Sequence, residues 1–195
     1  MAERAKKAEA ATATAAEAEK ASADVFGEVA TIMSTELTNK VWTPVSKVDY
    51  TLVGSEVLVR ARLHTVRAKG NLAFLVLRQG CFTLQGVAVA GTDAGQVPKA
   101  MVGFIGKIPS ESIVDVRAKV ASADVAGCSQ SDVELAVSSV FVVSKALPDL
   151  PFQIVDASRN ELDPKEGEVV VGLDTRLNHR VIDLRTPANQ AIMRV

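Results

Sequence analysis

From Glu56 to His64 apolar and polar residues take turns: Val57, Val59, Ala61 and Leu63 fall on one side, Leu58, Arg60, Arg62 and His64 on the other. A period of two marks a β-strand with one buried face. The segment RAKGN then reads as a turn, and LAFLVLR from Leu72 and FTLQGVAV from Phe82 read as two more strands. Gln79, Gly80 and Cys81 join them at hairpin spacing, with a glycine in the loop. In GQVPKAMVGFIGKI the period changes: Pro98 suits a first helical turn, and Met101, Val102 and Ile105 recur at helical spacing. Alternation returns in SIVDVRAKVAS, with Val114, Val116, Ala118 and Val120 inward and Asp115, Arg117 and Lys119 outward, and DVELAVSSVFVVS supplies a fifth strand. Three strands, a helix and two strands is the order of a five-stranded Greek-key barrel, the OB-fold. The expected fold is therefore mainly β, an OB-fold barrel with its helix between strands three and four, and a small sandwich is the alternative.

The flanks follow other patterns. Residues 1–40 read as an Ala-rich helical or partly disordered extension, in which Val29, Ile32, Met33 and Leu37 allow a short amphipathic helix between Phe26 and Lys40. The barrel is expected over 41–145. Over 146–172 prolines and charges dominate and periodicity is lost, the composition of a hinge or linker. Residues 173–195, LDTRLNHRVIDLRTPANQAIMRV, read as the opening of a further domain, with Thr186 as a helix N-cap and Pro187 at the first helical position.

Composition narrows the chemistry. Apolar residues make up 48% of the 195, enough for a packed interior, and the net charge of -1 excludes a surface that coats nucleic acid all over. Cys81 and Cys128 lie far apart without metal-ligand spacing. No apolar run reaches the length of a membrane span and no secretory leader is legible, so a cytoplasmic, non-membrane protein is expected. His64 and His179 stand alone, and no GxxxxGK or GxGxxG occurs, so no catalytic residue and no metal site is assigned.

One stretch departs from the neutral average. Between Val57 and Gly91 there are five basic residues, Arg60, Arg62, Arg67, Lys69 and Arg78, and no acid. If Leu75 and Leu77 point inward, Phe74 points out with Val76 and Arg78, and an exposed aromatic on a basic sheet is a platform for stacking bases. An aromatic in an apolar run also fits a core. Gln85 shares a phase with Thr83 and Val87, and its amide offers the donor and acceptor that base-edge reading requires, or simply meets solvent. Glu134 would repel phosphates unless it accepts from base N–H groups, the alternative being an ion pair with a nearby arginine.

VRARLHTVRAKGNLAFLVLRQ, DVELAV and LDTRLNHRVIDLRTPANQAI together resemble the N-terminal part of eukaryotic cytosolic aspartyl-tRNA synthetases, which are class II enzymes, over roughly Val41 to Val195. The resemblance implies a barrel that binds the anticodon of tRNA, a hinge, and then a catalytic domain that aspartylates tRNA with ATP and Mg2+ as a homodimer. Phe74 matches the aromatic that stacks on an anticodon base, Gln85 and Glu134 match residues that contact the anticodon, and Arg67 matches a basic residue of the preceding loop. Arg60, Arg62, Lys69 and Arg78 complete the expected RNA-binding set. The catalytic motifs fall beyond Val195, so ATP and Mg2+ are expected for the full-length enzyme and no cofactor for this stretch. The lysine-rich N-terminal helix of some members is matched only by Arg4, Lys6 and Lys7. A freestanding OB-fold protein that binds single strands, with no enzyme attached, is the alternative. A sister lysine or asparagine enzyme would share the barrel.

Overall fold

The alternating runs become strands in the computed structural model, which describes residues 25–29, 39–93, 95–159 and 166–195. The expected N-terminal extension through residue 24 lies outside them, as do residues 30–38 of the expected amphipathic helix. Where that helix was to begin there is instead a strand, β1 (Phe26–Glu28), parallel to β6 (Val133–Ser144) with Phe26 opposite Val140. Its placement has a physical reason. β4 (Phe82–Val89) pairs with β6 only from Glu134 to Ala136, and β1 covers part of the edge beyond, where unpaired backbone groups would stand open. The Phe26 ring also packs 5.3 Å from that of Phe104.

β2 (Glu56–Lys69), β3 (Leu72–Gln79) and β4 form an antiparallel meander, and β5 (Ile113–Ser122) pairs with both β2 and β6. Since β6 also pairs with β4, the five strands close into a barrel. The inward residues expected from the alternation, among them Val59, Leu63, Leu75, Leu77 and Val116, are fully buried, as is Leu135 of β6. Helix α1 (Lys99–Ile105) follows Pro98 and buries Met101, Val102 and Ile105 in the same core.

β2 runs on well past His64, because the register shifts between Leu63 and Thr65. This bulge reverses the phase. Beyond it Val66 and Ala68 stand opposite Leu75 and Ala73 of the inward row, while Thr65, Arg67 and Lys69 face out. The RAKGN turn thus shrinks to Gly70 and Asn71 between the paired Lys69 and Leu72, with Gly70 at φ 64°, where a side chain is disfavoured.

The stretch expected as a hinge supplies a helical turn, α2 (Ile154–Ala157), and Phe152, Ile154, Ala157 and Val171 of a small second core that Ile182 completes. Three short helices follow, α3 (Leu173–Asn178), α4 (Arg180–Asp183) and α5 (Pro187–Ile192), the last beginning after Thr186 as its sequence predicts. Asp183 ties them together. Its buried carboxylate accepts from Arg176 Nε at 2.7 Å and from Arg180, and its carbonyl accepts from Thr186 Oγ1 at 2.8 Å and Asn189 Nδ2 at 2.9 Å. Buried carboxylates persist only with such partners.

Candidate nucleic-acid interface

Beyond the bulge, the outer face of the β2–β3–β4 meander carries three rows of cross-strand neighbours. The first is Lys69, Leu72 and Val89; the second Arg67, Phe74, Val87 and, on β6, Ala136; the third Thr65, Val76, Gln85 and Glu134. Residues directly opposite in such rows have Cβ atoms about 4.5–5.5 Å apart, so Arg67 stands beside the Phe74 ring and Gln85 beside Glu134. Phe74 is 39% exposed while Leu75 and Leu77 are 0%, which settles its phase: it is a surface aromatic. Leu72 and Val89, also exposed, extend the apolar surface toward the hairpin tip.

Gln85 Nε2 donates to Glu134 Oε2 at 3.3 Å. The bond orients both groups and leaves the Gln85 carbonyl oxygen, its second N–H and the other carboxylate oxygen for a ligand. The expected alternative for Glu134, an ion pair with a neighbouring arginine, does not form among the described residues. One edge of the face is finished by the β5–β6 loop. Ser129 N donates to Thr83 Oγ1 at 2.8 Å and Thr83 N donates to Ser129 Oγ at 2.7 Å, which lays that loop over the start of β4.

Three of the expected basic residues lie beyond these rows and are engaged by other groups of the protein. Arg78 is 5% exposed; its Nη2 donates to Glu111 Oε1 at 2.6 Å and its Nη1 to the Arg185 carbonyl at 3.0 Å. Arg62 Nη1 donates to the Glu111 carbonyl at 3.2 Å. Arg60 forks onto Asp115 at 2.7 and 2.8 Å and lies 4.2 Å over the Trp42 ring. The acid-free window of sequence is therefore not one positive surface. Closure of the barrel brings Asp115 from β5 and Glu111 from the turn before it, and a local charge tally cannot see either. Burial disfavours ionised Glu111, yet hydrogen bonds from His64, Arg78 and Arg185 with the charge of Arg78 outweigh it and hold the pKa down at about 2. Burial and the nearby Arg185 lower that of Arg62.

Thr65 and Ser129 went unnoticed in the sequence. The bulge hid Thr65 by breaking the alternation, and the Ser-rich turn SQSD signals a loop without saying where it docks.

No protein-family model matches the chain. It is 43% identical over 192 residues to the cytoplasmic aspartate–tRNA ligase of Caenorhabditis elegans, an alignment covering 94% of this chain and 36% of that protein. Among solved structures it is similar to an aspartyl-tRNA synthetase from Entamoeba histolytica, with TM-score 0.79 and 32% identity over 87% of this chain and 38% of that one. An asparaginyl-tRNA synthetase from Pyrococcus horikoshii shares the fold at TM-score 0.60 and 21% identity, over 78% of this chain and 32% of that one. The chain thus spans about a third of the length of the relatives it matches.

Proposed function

Because the chain belongs to the cytoplasmic aspartate–tRNA ligase family, we propose that its barrel receives the anticodon loop of an aspartate-accepting tRNA. The observation that carries this reading is the shared outer face on which Arg67 adjoins Phe74 and Gln85 is bonded to Glu134. Phe74 offers its exposed ring to an unpaired base, a sequence-tolerant contact. Diagonally across β3 and β4, the Gln85–Glu134 pair meets the edge of a base. The carboxylate accepts from base N–H groups and repels phosphates, so it admits an edge that presents donors and disfavours a backbone laid over it. Arg67 and Lys69, exposed at the end of β2, neutralise the phosphates of the same loop.

In the whole protein this recognition serves ATP-dependent aspartylation of tRNA in the cytoplasm, with Mg2+ and as a homodimer. No residue of this chain is assigned to that chemistry, and its share is to hold the RNA. The freestanding single-strand binder draws no support from the relatives. Titration of the purified chain with an aspartate anticodon stem-loop tests the proposal. Saturable binding that weakens when one anticodon base is replaced is expected, with no aspartyl-tRNA formed when ATP, Mg2+ and aspartate are added. Equal affinity for every loop sequence would refute the recognition role, and aspartylation would refute the assignment of chemistry elsewhere.

A further inference from the structure

The arginines missing from the interface gather in one place. Arg62 of β2 and Arg78 of β3 stand directly opposite each other in the ladder, a register in which like charges repel. Arg185 from the turn before α5 joins them, and Arg60 lies on the same wall. These four, with Gln79 and Gln190, line a cleft of about 350 Å3 at the β3–β4 hairpin, between the barrel and α5.

Charge in the cleft does not balance. Asp115 is occupied by Arg60, and Glu111 is shared by Arg78 at 2.6 Å and Arg185 at 3.2 Å, with His64 Nδ1 a further 3.8 Å from it. Four guanidinium groups thus meet two carboxylates. Arg62 has no carboxylate partner among the described residues; its bond goes to a backbone carbonyl. Acceptors are short as well as negative charge. Arg78 is nine-tenths buried, and its Nε has no hydrogen-bond partner among the described residues. Glu111, the acid at the centre, is held at φ 70°, a left-handed conformation that non-glycine residues adopt at a cost.

We propose that this cleft is a phosphate site, filled by a backbone phosphodiester of the tRNA strand that leads away from the anticodon loop. The proposal rests on the reading that the loop lies on the Phe74 face. Guanidinium groups match phosphate oxygens in paired hydrogen bonds, and one phosphodiester offsets half of the two-charge excess. Phe74, Val76 and Arg78 form one outward stripe of β3, so the cleft lies about 13 Å along the strand from the stacking ring, four residues at ~3.3 Å each. A phosphate there belongs to a nucleotide beyond those on the barrel face. Inorganic phosphate has the same chemistry, and the experiment separates the two sources.

Arg62→Gln in the full chain removes one charge, keeps an amide able to donate to the Glu111 carbonyl, and relieves repulsion from Arg78 and Arg185. It should melt no lower than the unaltered chain. Binding is measured by fluorescence anisotropy over a range of salt, with whole aspartate tRNA and with the isolated anticodon stem-loop. Arg62→Gln should weaken whole-tRNA binding roughly tenfold, the size of one charge-assisted hydrogen bond. It should flatten the log–log salt slope by about 0.7–0.9, on whole tRNA and on the stem-loop alike, because the stem carries the strand that leaves the loop. Arg62→Lys should restore the slope and part of the affinity. Unchanged tRNA binding by Arg62→Gln, with Phe74→Ala still weakening it, overturns the phosphate site and spares the anticodon reading. If neither variant weakens binding, the anticodon reading falls and this inference falls with it. A loss on whole tRNA with none on the stem-loop overturns the assignment to the strand that leaves the anticodon loop. Stabilisation of the unaltered chain, but not of Arg62→Gln, by inorganic phosphate, with tRNA affinity unaffected, overturns RNA as the source.

Discussion

Replacing Phe74 by alanine separates stacking from packing. Full burial of a phenylalanine side chain contributes about 1.5–3 kcal/mol. With 39% of the residue exposed, roughly three-fifths of that, about 1–2 kcal/mol, is at stake in the fold. No enclosed cavity results, because the ring lies on the outer face, so the additional penalty of core truncations does not arise. A loss of this size lowers the melting temperature by about 2–8 °C and leaves the barrel folded. The loss in RNA binding should be about 1–3 kcal/mol, or roughly 5- to 150-fold at about 1.4 kcal/mol per decade. It should be the same for the aspartate anticodon and for a loop with one base replaced, since every base has a π-face. Phe74→Leu, which keeps apolar bulk without the ring, should lose nearly as much affinity and melt higher than the alanine variant. Anisotropy titrations of both variants against both loops, with thermal melts as the folding control, give the answer. A folded Phe74→Ala with unaltered affinity would refute the platform, and a loss confined to one loop sequence would make the ring a reader of base identity instead.

The neighbouring residues should behave differently. Gln85→Ala and Glu134→Ala should each narrow the gap between cognate and base-replaced loops by roughly 1–3 kcal/mol; tighter cognate binding by Glu134→Ala would mean that the carboxylate only repels phosphate. Lys69→Ala should weaken all loops alike and flatten the salt slope by about 0.7, the single-strand value for one phosphate contact, and an unchanged slope would return Lys69 to solvent. For Glu111 the folded pKa of about 2 lies below the ordinary 4.5, so its stabilising contribution is present above pH 4.5 and is lost as pH falls toward 2. That difference of two to three units corresponds to about 3 kcal/mol. Glu111→Gln should therefore be destabilised at pH 7 and lose less stability than the unaltered chain between pH 5 and 2, and parallel pH profiles in denaturant melts would contradict the assignment.

How far the sequence carries depends on whether a property is local. Past Val137 the period of β6 breaks, a register shift at Ser138 turning Val140 and Val142 inward, but the inward and outward residues of β3, β5 and the start of β6 follow from alternation, because a strand's two faces are set by its own period. Phe74, Gln85 and Glu134 could be placed on the outer face for that reason, yet not beside one another: the Gln85–Glu134 bond is a parallel contact between strands separated by a helix and another strand. The arginines fail for the complementary reason. Arg60, Arg62 and Arg78 look alike in an acid-free window, and their fates are decided by Asp115, Glu111 and Arg185, all remote in sequence. The bulge at His64 shows how one local irregularity changes function. With strict alternation through residue 69, Arg67 and Lys69 would share the phase of Leu63 and point into a core that cannot solvate them. The single added residue turns both outward, Arg67 opposite Phe74 and Lys69 opposite Leu72. Deleting one residue at His64–Thr65 would then cost the barrel either its core packing or its basic edge, and that conflict makes the bulge part of the binding face.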